Sequence, residues 1–305
     1  VRYDILHRFV AFLDRFAFVN EESLEEKEAI DPKILGYIFE RAMTDAERKS
    51  TGAYYTPRAV TQYIAEQTVY PTILEKANNY LKEEKGYNEE ELYDSVDEMI
   101  RKCRSLWDIR QKILVEDFRV VDPACGSGAF LLAVANILWD IHKRIGEQLG
   151  DSEADNDAWL KKLILRHNIY GVDVNHNATE IARLRLWLWL VDSFNRNNLE
   201  ALPNIDYKIV SGNSLTGFAD ITQMKREGEL SGQNNLAKWD ERNIADLFRE
   251  KNEKTTRYEE ISGEEDDKIK NEIDELERSI NTVLDDYYIT WCKDNGVELP
   301  AEDIE

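Results

Sequence analysis

The chain has 305 residues, 42% hydrophobic and 10% aromatic, with 14 glycines and 6 prolines. That suits one large domain or two small ones with real cores, and it excludes disordered, collagen-like and low-complexity classes. Its 61 acidic and 39 basic residues leave a net charge of −22, the wrong sign for a free-standing nucleic-acid binder, whose affinity comes largely from neutralised phosphates. The excess is uneven, because Glu241–Glu305 holds 21 acids and 9 bases.

Residues 1–50 read as helices. Leu6, Phe9, Val10, Leu13 and Phe16 recur at threes and fours, the spacing of one apolar helical face. Asp31-Pro32 starts a second helix, with Asp31 as N-cap and Pro32 at the first helical position. Thr56-Pro57 opens a third, expected to run to about Tyr70, and residues 72–116 read as charged and helical. A short buried strand, Phe118–Val121, then ends at Asp122 and enters the turn Pro123-Ala-Cys-Gly-Ser-Gly128, followed by an apolar helix from Ala129 to about Ile145. Residues 149–157 read as a polar loop. A second strand, Asn168–Val172, ends at Asp173, with a helical core at Ile181–Val191 after it. A third, Tyr207–Val210, ends at Ser211-Gly-Asn-Ser214. In the acidic tail Ile269, Ile273, Leu276, Ile280, Val283 and Tyr287 form a short heptad seam, expected to pack on its own domain or else to recruit a partner helix.

Strands alternating with helices imply an α/β fold with a parallel sheet in strand order 3-2-1, and ligands of such sheets bind at the carboxyl ends of the strands. Asp122, Asp173 and Asn213 occupy those three ends. The glycines of the first turn admit a ligand close to the backbone, and Gly126→Val is expected to close the turn sterically. Leu131 stands where the third glycine of G-x-G-x-x-G belongs, and no G-x-x-x-x-G-K occurs, so the dinucleotide and triphosphate fingerprints both fail. An acid ending the first strand suits an amino group better than a pyrophosphate. Asp173 has the reach to accept from ribose hydroxyls, and Asn213 can both donate to and accept from an adenine edge.

Four segments in order carry a resemblance: Thr51-Gly-Ala-Tyr-Tyr-Thr-Pro57, Asp122-Pro-Ala-Cys-Gly-Ser-Gly128, Tyr170-Gly-Val-Asp173 and Gly212-Asn-Ser-Leu215. The series resembles the adenine-N6 DNA methyltransferases of the gamma class, found in type I modification subunits and type IIG restriction-modification enzymes. Ile30–Glu40 resembles the lead-in of type IIG-like and phage-exclusion methyltransferases. The resemblance implies a class I, Rossmann-like methyltransferase sheet and S-adenosylmethionine as cofactor. It implies that Asp122 and the turn Ala124, Cys125, Gly126, Ser127 and Gly128 hold the methionine portion and Asp173 the ribose. Pro123 belongs to the same cofactor-binding turn, and Phe130 continues it into the helix, either as core packing or as a cofactor contact. Asn213, usually Asp in the family, would meet the adenine amino group, with Ser214 beside it in the cofactor-binding set. Tyr54, Tyr55, Thr56 and Pro57 would close over the methionine end. Cys125 is expected to be a small buried residue of the turn, not a nucleophile.

The family's catalytic Asn/Asp/Ser-Pro-Pro-aromatic motif does not occur, since the chain contains no Pro-Pro. No catalytic residue is therefore assigned, and the chain is expected to be inactive alone. It opens with Val, and only the first half of the sheet is expected within it, as in a piece of a longer protein. The expected organisation is a helical region at 1–50, a cofactor-binding part at 51–220 and an acidic helical insertion or tail at 221–305. DNA would be met through parts of the parent protein beyond this chain. Self-association is expected, if at all, through an exposed sheet edge or the 269–287 helix. No apolar run approaches the roughly 18 residues of a membrane span, and Val1–Asn20 lacks a signal-peptide cleavage pattern. Cys103, Cys125 and Cys292 form no C-x-x-C pair and the four histidines no H-x-x-x-H pair. No metal and a cytoplasmic location are expected. The rival readings are an RNA or protein-glutamine methyltransferase, a non-catalytic nucleotide-binding scaffold and an NAD oxidoreductase. The last is disfavoured because Asp173 lies far beyond the roughly 20 residues expected after the glycines.

Overall fold

The computed structural model describes residues 17–18, 29–30, 56–151, 156–194, 202–215, 241–260 and 266–294. The chain divides into two compact units, Val1–Leu215 and Thr216–Glu305. In the first, Ala17–Phe18 pairs in parallel with Ala29–Ile30. The helices expected on either side of this pair lie outside the described residues.

Helix α1, Arg58–Lys85, begins where Val60 and Thr61 donate to the Pro57 carbonyl. Ala65, Val69, Ile73, Ala77 and Leu81 form its buried stripe, one residue per turn. The sequence predicts an end near Tyr70, and the helix instead runs through Pro71. Pro71 and Gln67 are both exposed. The Gln67 carbonyl that the missing proline N–H leaves over can therefore turn to water, while the stripe holds both halves down. Helix α2, Val96–Lys102, is capped by Ser95, whose Oγ accepts from the Glu98 N–H at 3.2 Å. One α-turn, Leu106–Asp108, then passes into a π-helix, Ile109–Asp117. Buried Asn168 ties its end to the sheet by donating Nδ2 to the carbonyls of Leu114 (2.6 Å) and Phe118 (2.7 Å).

Three parallel strands follow, β1 (Val120–Asp122), β2 (Ile169–Asp173) and β3 (Ile209–Ser211), with β2 central. Asp122 lies opposite Gly171, and Asp173 opposite Ser211. The expected strand order holds. The first strand is shorter and less buried than expected. Phe118 is buried but precedes the ladder, and Val121 is 62% exposed on β1, which is an edge among the described residues. Helix α3, Ala129–Leu149, packs on α1, on β2, on α4 (Asp157–His167) and on α5 (His176–Val191). Helix α4 is an addition to the expected elements, since only the residues before it read as a loop. It also lengthens the crossover between β1 and β2. The long spacing from Gly128 to Asp173 therefore reflects an extra helix, and it loses its force against a dinucleotide site.

The second unit contains α6, Glu241–Glu260, and α7, Asp266–Asp294, packed on each other. Lys254 meets Glu272 at 2.7 Å, and Lys251 meets Glu277. One number falls as the other rises, so the two helices are antiparallel. Ile269, Ile273 and Ile280 of the seam are buried, and α7 packs within its own unit; the Tyr287 side chain lies outside the description. Among the described residues no helix is long and apolar enough to cross a membrane.

Candidate active site at the strand ends

The parallel ladder brings Asp122, Asp173 and Asn213 to one end of the sheet, and the three differ in what they hold. The Asp173 carboxylate is committed to backbone: Oδ2 accepts from the Gly126 N–H and Oδ1 from the Asn175 N–H, each at 2.8 Å. Two of its roughly four acceptor positions remain. Asp122 uses Oδ1 for the Ala124 N–H at 3.1 Å. Its Oδ2 is buried and meets no hydrogen-bond partner among the described residues. Burial raises the Asp122 pKa, the Ala124 N–H opposes that rise, and nearby Asp173 adds to it. Asn213 is exposed and accepts the Leu215 N–H on Oδ1 at 3.0 Å.

The glycine turn between β1 and α3 is clamped by its neighbours. The Cys125 N–H donates to the Val172 carbonyl at 2.9 Å, and the Ser214 hydroxyl to the Pro123 carbonyl at 2.8 Å. Gly128 adopts φ +81°, and a Cβ there would lie 3.0 Å from the Ala182 Cβ. A Cβ on Gly171, beneath the turn, would lie 2.9 Å from Leu131 Cδ1 and 3.0 Å from Cys125 Sγ. At Gly126, with φ +50°, a Cβ would meet nothing within 4 Å. The steric closure expected at Gly126 therefore belongs to Gly128 and Gly171, and Gly126 needs glycine for its backbone angle alone. Cys125 is buried. Burial first, then Asp122 and Asp173, pushes its thiol up to about 12, so it carries no thiolate at neutral pH.

Pro123 and Ala124 are exposed, Ser127 is buried and Phe130 is half-buried in the first turn of α3. Thr56 joins Arg58, Thr61 and Gln62 in lining a cleft whose other wall is Ala129, Ala133, Asn136 and Arg185. The end of the Thr-Gly-x-Tyr-Tyr-Thr-Pro segment is thus brought to the start of α3. Tyr54 and Tyr55 lie outside the described residues. Two residues at the strand ends escape a reading of the sequence: Val174 is 59% and Leu215 94% exposed. Each follows a polar strand-end residue at one or two positions, and that neighbourhood is the available signal. Arg185 escapes it too, since nothing in an apolar helical run marks a buried arginine as part of a turn one strand away.

The acceptors and apolar surface at the strand ends fit S-adenosylmethionine. Asp122 Oδ2 is a buried acceptor with no donor among the described residues, Asp173 keeps lone pairs for hydroxyls, and exposed Val174 and Leu215 offer apolar surface beside an exposed amide.

Known proteins share this stretch. Residues 96–217 match the family model described as MmeI, DNA-methyltransferase domain, and residues 167–292 match the Eco57I restriction-modification methylase. A putative type II restriction enzyme and methyltransferase of Methanocaldococcus jannaschii is 34% identical over 71% of this chain and 19% of its own length. The type II restriction enzyme and methyltransferase RM.Eco57I of Escherichia coli is 31% identical over 44% of this chain and 14% of its own. The adenine-specific methyltransferase PglX of Streptomyces coelicolor is 23% identical over 71% and 14%. The chain therefore spans less than a fifth of each of these relatives.

Proposed function

We propose, from the likeness to adenine-N6 DNA methyltransferases of restriction-modification systems that residues 96–292 carry, that this chain is the S-adenosylmethionine-binding portion of such an enzyme. The observation that carries the reading is the set of three polar strand ends, Asp122, Asp173 and Asn213, arrayed around a clamped glycine turn, with one buried carboxylate oxygen that has no donor among the described residues. On this reading the sheet is the first half of a class I methyltransferase sheet. Residues 51–220 form the cofactor-binding part, between an amino-terminal region at 1–50 and an acidic helical element at 221–305.

The roles follow from what each group can still do. Asp122 Oδ2 would accept from the ammonium of the methionine portion, an interaction that also stabilises a carboxylate held charged against burial. The open positions on Asp173 would accept from the ribose hydroxyls. Asn213 would pair with the adenine edge, with Val174 and Leu215 against its faces. Pro123, Ala124, Cys125, Gly126, Ser127, Gly128, Phe130 and Ser214 would shape the cradle, and Tyr54, Tyr55, Thr56 and Pro57 would cover it. The cofactor supplies a methyl group on a sulfonium, activated for direct displacement. The residues here bind and orient it, while the acceptors that aim a flipped base would come from the family's Pro-Pro motif, which this sequence lacks. DNA would be held by other parts of the parent protein.

Calorimetric titration of the chain with S-adenosylmethionine, its demethylated product and NAD tests the reading. Binding of the first two and not the third is expected. Saturable binding of NAD alone would overturn it in favour of a dinucleotide fold. A second assay follows labelled methyl transfer to mixed-sequence DNA, where no transfer above a protein-free blank is expected.

A further inference from the structure

Ser127 sits between Gly126 and Gly128, both at positive φ (+50° and +81°). A residue flanked by two glycines has peptide planes that rotate at little steric cost, and a turn meant to present its amides to a ligand cannot keep that freedom. The peptide joining Ser127 to Gly128 is held at both ends. Its N–H, on Gly128, donates to the Cys125 carbonyl at 2.8 Å. Its carbonyl, on Ser127, accepts from Arg185 Nη1 at 2.6 Å, and the Ser127 hydroxyl oxygen accepts from the same nitrogen at 3.0 Å. Arg185 projects from α5 and is 4% exposed; Ser127 is likewise buried. One turn earlier on the same helix, Ala182 fills the space over Gly128. A flip of this peptide would break both bonds, turning its N–H toward the buried Arg185 guanidinium and its carbonyl toward the Cys125 carbonyl.

We infer that Arg185 is the positioning residue of the glycine turn. It fixes the Ser127–Gly128 peptide in one orientation at the start of α3, and so sets the affinity of the cofactor site by holding the turn. The inference rests on the proposed cofactor reading for its consequence in binding, and on the geometry alone for its consequence in the turn. Both bonds use a single nitrogen. A lysine ammonium, though shorter in reach and without the guanidinium plane, can therefore replace part of the arrangement, and a methionine of similar length cannot.

The test uses the full chain and four substitutions. Arg185→Met is expected to weaken S-adenosylmethionine binding about tenfold or more, which is the loss of a buried charge-assisted bond. Arg185→Lys should recover part of the affinity. Ser127→Ala, which keeps the carbonyl and loses only the hydroxyl, should cost a few-fold. Leu138→Ala, in the fully buried middle of α3, is the control for general destabilisation: it should lower the melting temperature at least as much and leave the dissociation constant unchanged. Amide hydrogen exchange without ligand supplies the second readout, with faster exchange expected at Gly128–Phe130 in Arg185→Met and no change in α1. Wild-type affinity in Arg185→Met, or equal weakening in Leu138→Ala, would overturn the inference, as would an unchanged exchange pattern in the turn. If the wild-type chain binds no S-adenosylmethionine, the cofactor reading fails. The clamp then stands or falls on the exchange data alone.

Discussion

Two turns border the candidate site and they are built differently. The glycine turn after β1 is held by Val172, Asp173, Ala182 and Arg185, and its Cys125, Ser127 and Gly128 are buried. The turn after β3, Ser211–Leu215, is exposed at every residue, and its tie to the glycine turn is the hydroxyl of Ser214 on the Pro123 carbonyl. A fixed turn sets its ligand geometry before the ligand arrives, so less ordering entropy remains to be lost on binding. An exposed turn contributes contacts that cost little to change. Substitutions in the first should therefore damage folding and binding together, and substitutions in the second should change binding alone.

The largest break should come at Gly128. Valine there meets Ala182 and adopts an unfavourable φ, and we expect a loss of about 2–5 kcal/mol in urea unfolding together with cofactor binding. Gly126→Ala separates the two causes, because that position has room for a Cβ; the backbone term alone should cost about 1–2 kcal/mol. Equal losses at the two glycines would show that packing on α5 does not hold the turn.

Asp173→Ala comes next. It strands the N–H groups of Gly126 and Asn175 as well as the proposed ribose contact, and should weaken binding by roughly 1–3 kcal/mol in calorimetry while lowering the melting temperature. Unchanged affinity would remove Asp173 from the site.

Asp122 sharpens the comparison through pH. Its folded pKa lies above the unfolded value of about 3.9. The stability linked to its protonation is therefore fully present below the unfolded value and is lost as pH rises through the folded one. At neutral pH the charged form is a cost, so Asp122→Asn should raise the melting temperature at pH 7, with the gain vanishing in acid. Affinity for S-adenosylmethionine should move the opposite way, falling as pH drops through the raised pKa and falling in Asp122→Asn at pH 7. A melting temperature that drops in this variant would contradict the assignment of burial as the dominant cause.

The smallest effect is expected in the open turn. Asn213→Ala should weaken binding by about 1 kcal/mol and leave unfolding within about 0.5 kcal/mol of wild type. A larger stability loss there would mean that the two turns do not differ as described.

The sheet is legible in the sequence because each strand is a short apolar run ending in a polar residue, and Asp122, Asp173 and Asn213 can be named from that pattern. What escapes has physical reasons. Pro71 reads as a stop because local chemistry forbids its hydrogen bond, yet the buried stripe from Ala65 to Leu81 overrides one lost bond. Helix α4 is masked by the polar loop before it, although Ala158, Leu160, Ile164 and Leu165 are all buried. The roles of Gly128 and Gly171 cannot be told from that of Gly126, since which glycine another chain segment crosses is decided by tertiary packing. Arg185 lies in a run that reads as apolar helix, and its shorter bond goes to a backbone carbonyl, which has no sequence signature.

The bonds that clamp the glycine turn also have an order in time. Gly126 waits for Asp173, 47 residues further on; Ser127 waits for Arg185, 58 residues on; and Pro123 waits for Ser214, 91 residues on. Each closes a longer loop than the one before, and closure entropy is lost before the contact forms. At a synthesis rate of about 5–20 residues per second, roughly 5–18 s separate the appearance of Pro123 from that of its last partner. On a ribosome the cradle is thus the latest part of the first unit to set, well after α1 and α3 have been made. A chain interrupted between Arg185 and Ser214 would carry the peptide lock of Ser127 and still lack the latch that joins the closed turn to the open one.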